Sequence, residues 1–272
     1  MQQYRPGRFS ILPSAVKNLI IINIIVFLAQ IGLEKAFHID LAEYLGLHYI
    51  EASNFKIYQI VTYMFLHGGY AHIFFNMFAL WMFGSTIENI WGAKKFLLFY
   101  FFAGIGAGIT NEIVYYFEIQ PYLEAINQVI NNPSVYGLNQ LVQEGIVRFD
   151  GYKEPALMES FNRLRETGSM QSLVSFLSDY KPILMDKFVT IGASGSVFGL
   201  LLAFGMMFPN SMIYIYFAIP IRAKYFVIIY GVIELVQGFY ANDNVAHFAH
   251  LGGMLFGFIL LYNWKRKGRL FS

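Results

Sequence analysis

The chain has no cysteine, which excludes disulfides, thiolate nucleophiles and cysteine-based metal sites, so redox chemistry carries no information about its compartment. Charge is the next shortage. Only 13% of the 272 residues are charged, against about a quarter in an ordinary soluble domain, which excludes a conventional solvated fold for most of the chain. The formal net charge of +2 identifies no partner, because the distribution of charge matters more than its sum, and nothing points to nucleic acid. No cleavable leader is expected. The opening MQQYRPGRFSILPSAVKN carries two Arg and two Pro before the first apolar run, without a short apolar core ending in small residues, so residues 16–32 are expected to stay as a membrane span.

Hydrophobic residues make up 57% of the chain and aromatic ones 18%. Several apolar stretches approach the ~20 residues that a helix needs to cross a bilayer, and helices follow because lipid cannot satisfy open strand edges. Six spans are read at residues 16–32, 71–90, 96–109, 193–208, 225–240 and 245–264. A long first loop follows span one. The expected organisation is a cytoplasmic segment 1–15, helices one to three over 16–109, a soluble insert 110–186, helices four to six over 187–264, and a basic tail 265–272. Within the insert, PYLEAINQVINN, PALMESFNRLRETG and SMQSLVSFLSDY read as short amphipathic helices, with Gly168 as a C-cap and Ser169 as an N-cap.

Basic residues set the orientation, because cytoplasmic flanks collect them. Arg5, Arg8 and Lys17, then Lys94 and Lys95, then Arg222 and Lys224, then Lys265, Arg266, Lys267 and Arg269 all fall on one side if there are six spans. Both termini are then cytoplasmic and the insert lies outside. Short loops and a basic tail suit a bacterial inner membrane.

Polar residues inside apolar spans cost roughly 2.5 to 3.5 kcal/mol each on insertion scales and need a reason. Span two opens with HGGYAHIFFNM, span four with GASGSVFG and span six with AHFAHLGGMLFG. His72 and Asn76 are four apart and share a helix face, with His67 just before them; Ser194 and Phe198 are likewise four apart. Gly195 and Gly199 on span four, with Gly253 and Gly257 on span six, are spaced to let two helices approach closely. That approach would bring Ser194 to His250. A serine hydroxyl needs a base to become a nucleophile, and neutral imidazole is the commonest one. Amide attack also builds an oxyanion, for which Asn76, His72 and the Ser194 amide are suitable donors. The parts of acyl transfer to water are thus present, with no metal or cofactor required.

Taken together, HGGYAHIFFNM, GASGSVFG and AHLGG, in this order on spans two, four and six, resemble the rhomboid intramembrane serine proteases. The resemblance covers about residues 55–268 and includes YQIVTYMFLHGG before span two, with Glu88 and Gly92 at that span's cytoplasmic end. It implies an all-α polytopic membrane protein, a six-helix rhomboid-like bundle, here with an extracytoplasmic helical insert between helices 3 and 4. It further implies Ser194 as nucleophile and His250 as general base in a dyad without an obligatory acid. His72 and Asn76 would be oxyanion donors, Gly192 would shape the turn, Phe198 would pack on the catalytic imidazole, and span five would serve lateral substrate entry. Transmembrane protein substrates within the lipid bilayer are the implied partners.

Other readings compete residue by residue. His67 reads as a group hydrogen-bonding loop 1 in place. Ser196 lies about 200° around the helix from Ser194 and reads as packing. His247 could join His67 and His72 at a metal, but no carboxylate sits at matching depth. Asp243 is placed in a loop seven residues before His250, and Glu234 reads as a structural hydrogen bond or a gate contact. The alternative functions are a non-proteolytic rhomboid-like binder of membrane helices and, from another class, a transporter. The transporter should show paired broken helices in repeat halves, and the sequence shows none.

Overall fold

A computed structural model describes residues 9–148, 155–215, 218–241, 245–268 and 270. Arg5, Arg8 and Arg269, used above for orientation, and Asp243 lie outside the described residues. The chain forms two compact units. One comprises Met1–Leu47, Lys56–Asn111 and Thr190–Ser272; the other comprises His48–Phe55 and Glu112–Val189.

The first unit begins with α1 (Ser14–Phe37). A helix start leaves backbone N–H groups without partners and favours negative charge there. Glu88 answers both needs: its buried carboxylate accepts from the backbone N–H of Ala15 at 2.9 Å and of Val16 at 2.8 Å. Two short helices, α2 (Leu41–Leu45) and α3 (Gln59–Thr62), and a single 3₁₀ turn at Tyr63–Phe65 follow. Then come α4 (Tyr70–Ala79), a widened π turn at Leu80–Gly84, and α5 (Ser85–Asn131). Gly92 interrupts α5 with φ 75° and ψ 160°, a conformation that favours glycine, between the segments read as spans two and three.

The helix carrying residues 96–109 continues beyond them to Asn131. Residues 110–120 contain no Gly or Pro, and a helix already nucleated propagates at little cost through such sequence. PYLEAINQVINN is therefore the end of α5, not a short helix of its own. After α9 (Ser194–Met207) the chain makes an antiparallel hairpin, Met212–Ile215 with Ile219–Arg222, pairing Met212 with Arg222 and Tyr214 with Pro220. The sequence reading had no strand here, although IYIYFAIPIR is rich in β-branched and aromatic residues. The unit closes with α10 (Ala223–Tyr240) and α11 (His247–Arg266).

Among the described residues, α1, the Tyr70–Asn131 stretch and α10 are long and apolar enough to cross a membrane, and α9 is a shorter apolar helix. Ile228, Ile229, Val232, Ile233 and Val236 stand exposed on α10, as do Ile21, Ile25 and Leu28 on α1. Apolar surface of this extent is expected to face lipid. The protein is therefore an integral membrane protein built mainly of helices.

Glycines let α9 and α11 meet almost backbone to backbone. A Cβ at Gly253 would overlap the Gly195 carbonyl oxygen, and one at Gly257 would lie 3.3 Å from Gly199 Cα. This is the small-residue contact read from the sequence. Gly104 on α5 is packed under Ser196, and its carbonyl accepts the buried Tyr63 hydroxyl at 2.6 Å.

The second unit has its own core, in which Tyr49, Ile119, Ile126, Leu141, Phe176 and Tyr180 are buried. Its helices beyond α5 are α6 (Val135–Gln143), α7 (Pro155–Thr167) and α8 (Met170–Asp186). Gly168 ends α7 with φ 58°, and the Ser169 hydroxyl accepts from the Ser172 N–H at 3.1 Å to start α8. Tyr180 donates to the Ile146 carbonyl at 2.8 Å and accepts from the Arg148 N–H at 2.9 Å.

Candidate active site

Ser194 is the first residue of α9, and the turn that delivers it depends on Gly192. Gly192 adopts φ 128°, its N–H donates to the Tyr63 carbonyl at 2.9 Å, and a Cβ there would press on the His72 imidazole at 2.9–3.0 Å. Only glycine meets both demands. The amides of Ser194 and Gly195 open a helix, where N–H groups have no partner within the helix.

His250 lies four residues into α11, buried, with Nε2 2.9 Å from Ser194 Oγ. The Phe198 ring lies parallel to the imidazole, at 6° and 4.2 Å between centroids, and itself contacts Tyr230 of α10 at 5.1 Å. Phe198 is one helical turn beyond Ser194, so the hydroxyl and the ring approach the same imidazole from one face of α9.

His72 and Asn76 project from one face of α4. His72 Nδ1 accepts from the Gly68 N–H at 3.2 Å. A neutral imidazole whose Nδ1 accepts carries its proton on Nε2, and the space beside that Nε2 is where a Gly192 side chain would stand, with Ser194 Oγ 3.4 Å from the same point. Asn76 is buried with its Nδ2 unpartnered among the described residues. His72 and Ser194 are half-buried, so the site is not sealed inside the protein.

His67, read as tethering loop 1, has its ring edge-on to His72 at 5.1 Å. Its backbone is tethered to α1. Gln30 of α1 accepts from the His67 N–H at 3.0 Å and donates to its carbonyl at 3.4 Å. Ser196 is fully buried and donates to the Tyr100 carbonyl at 2.8 Å, a packing role.

Sequence reasoning placed Glu234 outside the chemistry, yet it touches the site directly. From the middle of α10 its carboxylate Oε2 accepts from His250 Nδ1 and from His247 Nδ1, each at 2.7 Å. Glu234, His247 and His250 are all buried, and their ligand atoms lie within 4.8 Å of one another. Contrary to the expectation that no carboxylate lies at matching depth, Glu234, thirteen residues before His247, does so, and only the rotation of α10 decides what it faces.

Helices long enough to cross a bilayer, joined to a half-buried serine and a buried histidine at two helix starts, define a polytopic membrane protein with a hydrolase-like constellation. The chain belongs to the rhomboid family: the Rhomboid domain matches residues 54–118 and 166–266. It is 38% identical to the rhomboid protease GluP of Bacillus subtilis over 68 residues, covering 25% of this chain and 12% of that protein. An uncharacterized mitochondrial rhomboid protein of Schizosaccharomyces pombe is 26% identical over 231 residues, 80% of this chain and 55% of that one. Rhomboid-like protein 11 of Arabidopsis thaliana, a chloroplast protein, is 32% identical over 86 residues, 28% of this chain and 31% of that one. The chain thus spans about an eighth to about half of the length of these relatives. They come from a bacterium, a mitochondrion and a chloroplast, so family membership assigns a membrane without singling out the bacterial inner one.

Proposed function

We propose that the protein is a serine endopeptidase that hydrolyses peptide bonds of transmembrane proteins at or near the outer membrane boundary. The 2.9 Å contact between His250 Nε2 and Ser194 Oγ carries this reading. Ser194 attacks the scissile carbonyl, and its proton passes to His250 Nε2 and then to the leaving amine. Water from the outer face hydrolyses the acyl-enzyme, with His250 again as base. In this reading the growing oxyanion is received by the Ser194 amide, His72 Nε2 and Asn76 Nδ2. Gly192 and Phe198 support the pair, the first by admitting His72 and the second by stacking on the imidazole. His67 backs His72. No cofactor enters the scheme.

In this reading the chain crosses the bilayer six times with both termini cytoplasmic, and residues 110–186 form an extracytoplasmic insert. The six segments are α1, α4 continuing to Trp91, the part of α5 from Ala93, then α9, α10 and α11. The substrates are membrane-spanning proteins entering beside α10.

The test is cleavage of a single-span reporter co-reconstituted in liposomes, with fluorophosphonate labelling in parallel. Ser194→Ala and His250→Ala should each lower kcat on the order of 10⁴ to 10⁶, and Ser194→Ala should abolish labelling. A Ser194→Ala protein that cleaves as well as wild type ends the proposal. Tight binding of the reporter by wild type with neither cleavage nor labelling makes the chain a non-proteolytic helix binder.

A further inference from the structure

The acid contact to His250 has the form of a third catalytic-site member. Glu234 is buried in the middle of a mainly apolar helix, where an ionisable group is costly and calls for a partner. A carboxylate can only accept, so the proton on each contacting imidazole nitrogen belongs to the histidine. With Nδ1–H of His250 donating to Glu234 Oε2 at 2.7 Å, the Nε2 lone pair is left facing Ser194 Oγ at 2.9 Å. That tautomer is the one a general base requires. His247, one helical turn before His250, donates to the same oxygen at 2.7 Å and holds the carboxylate in place.

A divalent cation could use the same three groups, but the spacing fits protons better. Zinc–nitrogen bonds of about 2.0–2.1 Å in a tetrahedral site separate neighbouring ligand atoms by roughly 3.3 Å, whereas both contacts to Oε2 measure 2.7 Å. Distances of that size are those of charge-assisted hydrogen bonds.

We propose that Glu234 is a positioning residue that completes a Ser194–His250–Glu234 triad, fixing the imidazole tautomer and pairing with the imidazolium formed when Ser194 loses its proton. This rests on the proteolytic reading above. Glu234 takes no proton itself: the serine proton moves to Nε2, the Nδ1 proton stays on the ring, and the negative charge opposite it offsets the new positive one. Because Glu234 stands on α10, the base is fully oriented only while α10 is packed against α11.

The test compares wild type, Glu234→Gln and Glu234→Asp in liposomes, with kcat and KM measured separately, labelling rate at Ser194, and thermal stability of each protein. Glu234→Gln should keep KM, lose on the order of 10² to 10⁴ in kcat, and slow labelling in the same proportion. Glu234→Asp, with a carboxylate set back by one methylene, should fall between, about tenfold below wild type. A folded Glu234→Gln enzyme with kcat within about threefold of wild type overturns the proposal. Should that variant fail to fold, Glu234→Asp is decisive, and a kcat equal to wild type overturns it. Wild-type cleavage abolished by EDTA and restored by zinc also overturns it, making the cluster a metal site. Wild type that neither cleaves nor labels rejects the protease reading itself, whereas active wild type with an equally active Glu234→Gln rejects only the triad.

Discussion

Replacing Gly253 by alanine puts one methyl group between α9 and α11 at the point where they carry the reactive pair. The new Cβ would overlap the carbonyl oxygen of Gly195 and lie 3.0 Å from its Cα. These are backbone atoms that no rotamer change can clear, so the helices must part by more than about 1 Å to restore contact distances near 3.5 Å. Two effects then oppose each other in stability. Overpacking costs about 1–3 kcal/mol, while alanine gains about 1 kcal/mol over glycine in a helix interior, leaving a net loss of about 0–2 kcal/mol. Activity has no such offset. Gly195 follows Ser194 directly and Gly253 lies three residues after His250, so separation at this level stretches the 2.9 Å Ser194–His250 bond beyond hydrogen-bonding range. A displacement near 1 Å costs about 10² in rate. The assay is liposome cleavage normalised to folded protein, with Gly32→Ala as the control, because nothing lies within 4 Å of a Cβ at that exposed position on α1. Gly253→Ala should fall about 100-fold in kcat while Gly32→Ala stays at the wild-type rate. A Gly253→Ala enzyme within about threefold of wild type would show that the α9–α11 contact does not set the geometry of the pair.

Two further perturbations separate chemistry from scaffold. Asn76→Ala removes the buried, unpartnered Nδ2 donor and should lower kcat by about 10² to 10³ with little change in KM; a change confined to KM would place Asn76 in substrate binding instead. Glu88→Gln replaces the carboxylate that accepts from Ala15 and Val16 at the start of α1, and should cost about 1.5–3 kcal/mol of stability with kcat per folded enzyme unchanged. Denaturation in mild detergent measures the first quantity, and equal stability of the two proteins would remove Glu88 as the anchor of α1.

By itself the sequence determined the solvent and the chemistry on offer. Apolar runs of span length leave helices as the only workable backbone in lipid, and polar residues that are costly there stand out against them, which made Ser194, His250, His72 and Asn76 legible. Glycine spacing also carried the α9–α11 contact, because close approach requires residues without side chains at intervals of one turn. Other features depend on relations that no local pattern encodes. Helical periodicity tells which residues share a face, not which way a helix is turned, so the meeting of Glu234 with His250 and His247 became visible only once α10 was packed. The same holds for His67, whose backbone rather than its ring is held by Gln30 of α1. Tertiary structure also decided that His48–Phe55 joins Glu112–Val189 in one compact unit. Contacts between residues so far apart in the chain arise from the burial of complementary surfaces, which composition permits and only packing selects.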